Sequence, residues 1–199
     1  MKSTSDSILR RIRAKQRGWV FTPKDFLDIA PRNTVGVTLH RLVEKGVIRK
    51  IGHGIYDFPV KHSKLGTLSA NPDAIASAIA SKKGDTIQPG GAQLANQLGF
   101  DDQVSATPSY IVSGVSRQKT IANYPIKLSH SKFMNNLPLN PNVIKVLNAL
   151  NHIGKNHITD DMVQKSKQIL SQRDKAQLKK ILNQLPDWMI YVVLKILGK

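Results

Sequence analysis

An α+β fold is expected from this sequence, and three features predict it. Apolar residues recur at helical spacing through the first 45 positions. Two short alternating apolar segments then flank the turn Gly52-His53-Gly54. Beyond Pro141 helical spacing returns and strand signals cease. The first two patterns are those of helices followed by a β-hairpin, and the third is that of a helical region. The expected organisation is a first domain over residues 1–60 and a second over 61–199. The second should be mixed α/β in 61–135 and helical in 136–199.

Taken in order, Ile8, Leu9 and Ile12 share one face among arginines, so a first helix should run from Ser5 towards Gly18. Trp19-Val20-Phe21 reads as a short strand. Thr22-Pro23-Lys24-Asp25 has the chemistry of a helix start. Thr22 can cap through its hydroxyl, Pro23 suits the first helical position, and Asp25 can return a hydrogen bond. This helix should be short, because Ile29-Ala30-Pro31 interrupts it. A third helix is expected over 32–45, with Val35, Leu39 and Leu42 as its buried stripe. Gly46 is placed to end it in a left-handed conformation. Residues 47–51 and 55–59 then form the hairpin. Helix, strand, helix, helix, hairpin is the order of a winged helix-turn-helix.

That order assigns chemistry to particular side chains. Asn33, Val37, His40 and Arg41 lie opposite the apolar stripe of the third helix, on the face a recognition helix turns into the major groove. Arg41 can pair bidentately with a guanine and Asn33 with an adenine. Arg32 and Lys45, at the ends of the helix, suit phosphate contacts. Arg49, Lys50 and His53 put charge on the hairpin, where they could hold the backbone or the minor groove. Double-stranded DNA is the partner these positions imply, with a homodimer expected on paired half-sites.

Composition agrees with a polyanionic partner. Thirty Lys and Arg against thirteen Asp and Glu give a net charge of +17. The excess runs throughout: 12 basic against 5 acidic residues in 1–60, 8 against 4 in 61–135, and 10 against 4 in 136–199. Such a surface attracts nucleic acid, an acidic membrane or an acidic protein. The absence of cysteine excludes disulfides and thiolate zinc sites. No apolar run is long enough to span a membrane, and the arginine-rich start does not resemble a secretory signal, so a cytoplasmic location is expected.

An enzyme is not expected, and no catalytic, metal or cofactor residues are assigned. Acids are scarce, and Asp101-Asp102 and Asp160-Asp161 sit near helix boundaries, where Asp serves caps and dipoles. The six histidines lack metalloprotease spacing, although His152 and His157 lie five apart. Gly90-Gly91 before a helix could meet a phosphate, but a tight turn into the helix is the favoured reading. Asn96 and Gln103 are expected to tie loops to backbone.

In the second domain, helices are expected from Asp73 to Ser81 and from Gly91 to Leu98, after a linker over 60–72. Strands are expected near 86–88, 110–113, 118–122 and 126–128. Four helices should follow, over 143–152, 160–170, 174–185 and 186–197. The last is apolar enough for burial, with Trp188 sharing a face with Val192.

Several of these segments resemble one family. Leu39-His40-Arg41-Leu42, Gly46-Val47-Ile48-Arg49 and Gly54-Ile55-Tyr56 with Pro59 look like the winged-helix region of the AbiE-type antitoxins of abortive-infection, type IV toxin–antitoxin systems. Gly91-Ala92 with Ala95-Asn96-Gln97-Leu98-Gly99, Tyr110 to Arg117, and Leu185-Pro186-Asp187-Trp188 are similar to further segments of that family. Ser113 and Gly114 are adjacent here, which departs from the family's spacing before Arg117. The resemblance implies an antitoxin and transcriptional repressor that binds operator repeats, represses its own operon and counteracts a nucleotidyltransferase-like toxin. Two other readings stand beside it. One is a protein-interaction module binding an acidic partner. The other is a stand-alone winged-helix transcription factor without a toxin, whose C-terminal region senses a ligand.

Overall fold

The computed structural model describes residues 3–103, 107–131, 133 and 139–199. It is an α+β protein that packs as two units. One comprises Met1–Asp85 with Gln118–Ile126, and the other Thr86–Arg117 with Lys127–Lys199.

The first unit opens with α1 (Thr4–Ala14), capped by Ser3, whose hydroxyl accepts from the Asp6 N–H while the Asp6 carboxylate accepts from Ser3. The helix ends before Gln16, which is left-handed, and so stops short of the expected Gly18. A short strand β1 (Val20–Phe21) follows. The helix expected next is a single 3-10 turn, Pro23–Phe26. The two prolines explain the difference. Pro23 supplies no N–H, and Pro31 pushes Ala30 away from helical geometry, so too few residues lie between them for an α-helix. Asp25 closes the turn by accepting from the Thr22 N–H (2.7 Å) and hydroxyl (3.0 Å). Arg11 staples α1 to this segment, donating to both carboxylate oxygens of Asp28 (2.6 Å each) and to the Asp25 carbonyl. The Arg11 hydrogen bond holds the Asp28 carboxyl below its usual range.

Next come α2 (Arg32–Glu44), β2 (Arg49–Gly52) and β3 (Ile55–Asp57). β3 lies between β1 and β2 and pairs antiparallel with both. Ile8, Ile12, Phe21, Phe26, Val35, Leu39, Leu42, Ile48 and Tyr56 form the core of this unit. The stretch read as a linker is a small exposed hairpin, β4 (Lys61–His62) with β5 (Gly66–Thr67). The helix after it, α3 (Pro72–Lys83), is capped by Asn71 and packs on β1 and β3. Packing therefore divides the chain at 85/86, whereas the sequence suggested 60/61. Buried Ile75, Ala76 and Ile79 give α3 its attachment to the first unit.

In the second unit β6 (Ile87–Pro89) pairs antiparallel with β7 (Ser109–Val112), which pairs in parallel with β9 (Tyr124–His130). β8 (Arg117–Ile121), which beyond Arg117 belongs to the first unit, leads into β9 through Ala122 and Asn123, both at positive φ, a turn that suits the twist of a hairpin. Two layers of helix, α4 (Gly91–Gln97) on α5 (Pro141–Ile153) and α6 (Asp160–Ile169) with α8 (Asp187–Ile196), surround a large core. Leu94, Val143, Leu147, Leu150, Leu178, Met189 and Val193 lie at its centre. Trp188 and Val192 flank that core half-buried, so Met189 rather than Trp188 is the central residue of α8. Ser171 caps α7 (Gln172–Lys180), and Asp174 closes the capping box. Burial pushes its carboxyl up, but hydrogen bonds from Asn140 and Ser171 outweigh this and hold it below the usual range.

Gly90 and Gly91, at the start of α4, are needed for space. A Cβ on Gly90 would lie 2.6 Å from the Ser109 carbonyl oxygen, and one on Gly91 would lie 2.6 Å from the His152 Cβ. Gly90 has φ −65°, which alanine adopts freely, so crowding alone decides. Gly90→Ala should therefore destabilise the protein by roughly 1–3 kcal/mol. Thermal melting would test this, and a variant melting with the parent would show that β7 yields without cost.

Candidate nucleic-acid interface

α2 is two-faced. Val35, Thr38, Leu39 and Leu42 are buried. Arg32, Asn33, Val37, His40, Arg41 and Glu44 are exposed. Asn33, Val37, His40, Arg41 and Glu44 recur at four- and three-residue steps, so they form one stripe along the helix. Val37 is 52% exposed, an apolar methyl pair standing in a polar row. The stripe is graded in charge. Its start holds Arg32 and the positive end of the helix dipole, while its end holds Glu44, 3.7 Å from His40. An anion would therefore meet the N-terminal half of α2 first. Lys45, the C-cap residue, is also exposed.

The arginines of the first unit divide into two groups. Arg11 is held by Asp28, and Arg17 donates to the Pro59 carbonyl while lying over the Phe58 ring at 4.7 Å. Arg49, expected on the DNA-facing side of the hairpin, belongs with these. Its Nε donates to Asp57 Oδ1 (3.0 Å), and its Nη2 donates to Asp57 Oδ2 (2.5 Å) and to the Leu68 carbonyl (2.8 Å). Asp57 is buried and sits directly across the hairpin from Arg49. A buried carboxylate requires a partner, and Arg49 is the one it has, so Arg49 positions the hairpin. Arg32 and Arg41 take part in no ion pair or side-chain hydrogen bond among the described residues, and neither does Lys50, which is exposed on β2. These charges remain available.

The hairpin turn is built by close approach as well as by conformation. Gly54 is left-handed at φ +63°. Gly52 is not, and a Cβ there would lie 2.8 Å from Ile121 Cδ1, so the end of that side chain would have to shift. His53 is exposed at the tip, and its carbonyl accepts from Lys82 Nζ at 2.7 Å. Lys82 is a residue that sequence reasoning missed. It closes α3, far along the chain, and only the packing of α3 brings it to the hairpin. Burial lowers its ammonium pKa, and Lys119, Arg32 and Lys83 lower it further. The predicted Arg32 therefore lies in a group of cations drawn from α2, α3 and β8.

Elsewhere, the second unit contains a cavity of about 430 Å³ lined by Gly90, Ser109, Lys127, His130, Asn148 and His152 among others. Its buried polar groups are satisfied. Ser131 donates to Asn148 Oδ1 at 2.7 Å, and Asn148 Nδ2 donates to the Ile144 carbonyl. Asn96 ties the loop after α4 to the Asp101 carbonyl. Asp160 and Asp161 pair with Lys195 and Lys165. Among the described residues no three His, Asp or Glu side chains gather into a group that could hold a metal, and no helix is long and apolar enough to cross a membrane.

No curated protein matches this chain. A family of unknown function does, over residues 7–178, which takes in both units from α1 into α7. With most of its length matched, the chain belongs to that family, DUF6088.

Proposed function

We propose that the first unit is a winged helix-turn-helix that binds double-stranded DNA. In this reading α2 is the recognition helix and the β2–β3 hairpin is the wing. The observation that carries the reading is the exposed stripe of α2, where Arg32, Asn33, Val37 and Arg41 stand opposite the core. Asn33 and Arg41 suit base edges, and Val37 suits a thymine methyl. Lys50 and His53 would lie along the backbone, with Lys45 as a further phosphate contact. On this reading the protein works in the cytoplasm as a repressor. The resemblance to AbiE-type antitoxins extends it to an operon whose toxin the second unit counteracts.

Arg41 and Lys50 should leave different signatures. Arg41→Ala is expected to lose roughly 1–3 kcal/mol of discrimination between the duplex upstream of its own gene and a scrambled one. Lys50→Ala should weaken both duplexes alike and lower the salt slope by about one unit. Titrations at several salt concentrations separate the two. If the parent binds both duplexes equally and neither variant matters, sequence-specific recognition by α2 is wrong and charge alone accounts for binding.

A further inference from the structure

We propose that Lys82 and Lys83 at the end of α3 and Lys119 on β8 form, with Arg32, a second phosphate-binding element beside the wing. This rests on the DNA-binding reading and enlarges its footprint with residues from outside the first sixty.

Two remote segments meet at the turn of the β2–β3 hairpin. Lys82 Nζ is anchored on the His53 carbonyl, and a Cβ on Gly54 would lie 3.0 Å from it. From the other direction, Ile121 is buried and its Cδ1 fills the space that a side chain on Gly52 would take. The tip of the β8–β9 hairpin, Gln118–Ile126, accordingly packs as part of the first unit. A lysine and an isoleucine from remote parts of the chain thus pack directly against the two glycines of the turn. The arrangement fixes where Lys82 and Lys119 stand.

Fixing like charges together is unfavourable unless something of opposite sign joins them. The charges that bear on Lys82 are Lys119, Arg32 and Lys83, all of its own sign. Among the described residues none of the four takes part in an ion pair. Five acids of this unit are engaged elsewhere: Asp6 and Asp25 in caps, Asp28 with Arg11, Glu44 with His40, and Asp57 with Arg49. The other two, Asp73 and Asp85, are not among the charges that bear on Lys82. Lys82 cannot swing out to relieve the repulsion without giving up its bond to His53. The missing partner is an extended polyanion, because the cations are spread over α2, α3 and β8. Arg32 begins α2, so the element is continuous with the recognition helix. A DNA backbone leaving that helix would meet these lysines.

Lys83 and Lys119 are both exposed, so their removal should leave the fold intact. The test uses the full chain, a random-sequence duplex, and the slope of log K against log salt. The double variant Lys83→Ala/Lys119→Ala should reduce that slope by roughly two units and weaken binding about five- to tenfold per site near 0.1 M salt. The double variant to arginine should restore the slope. If the parent binds with a steep slope that Lys50→Ala lowers but the double alanine variant keeps, the second element is wrong and the DNA-binding reading stands. If the parent shows no salt-dependent binding, both are overturned.

Discussion

Phe26→Ala is expected to destabilise the first unit by about 3–5 kcal/mol, the range for removing a fully buried aromatic ring. Phe26 has no exposed surface. Its ring meets Phe21 edge-on at 5.5 Å and Trp19 at 5.8 Å, and the Arg11 guanidinium lies 5.9 Å from its centroid. The loss should be at the upper end because of where the ring sits. It anchors a 3-10 turn of four residues, which has little hydrogen bonding of its own. Without the ring, the turn that leads through Pro31 into α2 loses its main attachment. Urea unfolding followed by Trp19 fluorescence, in a Trp188→Phe background to remove the second reporter, would measure the effect. An unchanged midpoint would mean that Phe21 and Trp19 repack into the space.

Asp57→Ala should be the next most damaging change, at roughly 2–3 kcal/mol. The Asp57 side chain is 2% exposed and that of Arg49 is 36% exposed. The partial exposure of the arginine softens the cost relative to a wholly buried pair, since water can take up some of the abandoned guanidinium. Arg49→Ala strands the carboxylate instead and should cost at least as much. A double-mutant cycle tests the pairing directly, because the double variant should lose less than the two single losses added together. Strict additivity would show that the two groups act independently. Either single change should also loosen the β2–β3 hairpin, so the DNA binding proposed above would fall with stability and not with charge.

Much of the first unit was legible because its signals are local. Val35, Leu39 and Leu42 mark the buried face of α2, and the residues opposite them are exposed as their spacing requires. The Gly52–Gly54 segment marked a hairpin. The fate of Arg49 was not read from local charge. It could have been found by folding the hairpin on paper, since Arg49 and Asp57 stand symmetrically about its turn. The length of the Pro23 helix was overestimated because a cap signals where a helix starts but not how far it can run. The domain boundary and the roles of Lys82 and Lys119 depend on contacts between segments tens of residues apart, which periodicity does not encode. The β8–β9 turn was hidden for another reason. Ala122 takes a left-handed conformation without the asparagine–glycine pair that normally announces one.

The return of Gln118–Ile126 to the first unit bears on how the chain is made. During synthesis, residues 1–85 leave the ribosome well before Ile121 does. Until then Gly52 lacks its Ile121 neighbour, and an apolar seat at the turn of the β2–β3 hairpin is open to water. The first unit therefore completes itself only after Ile126 has emerged, by which time β6, α4 and β7 of the second unit have been translated. A fragment of residues 1–60 lacks α3, Lys82 and Ile121 together. It contains α2 but not the parts that pack against the turn of the β2–β3 hairpin.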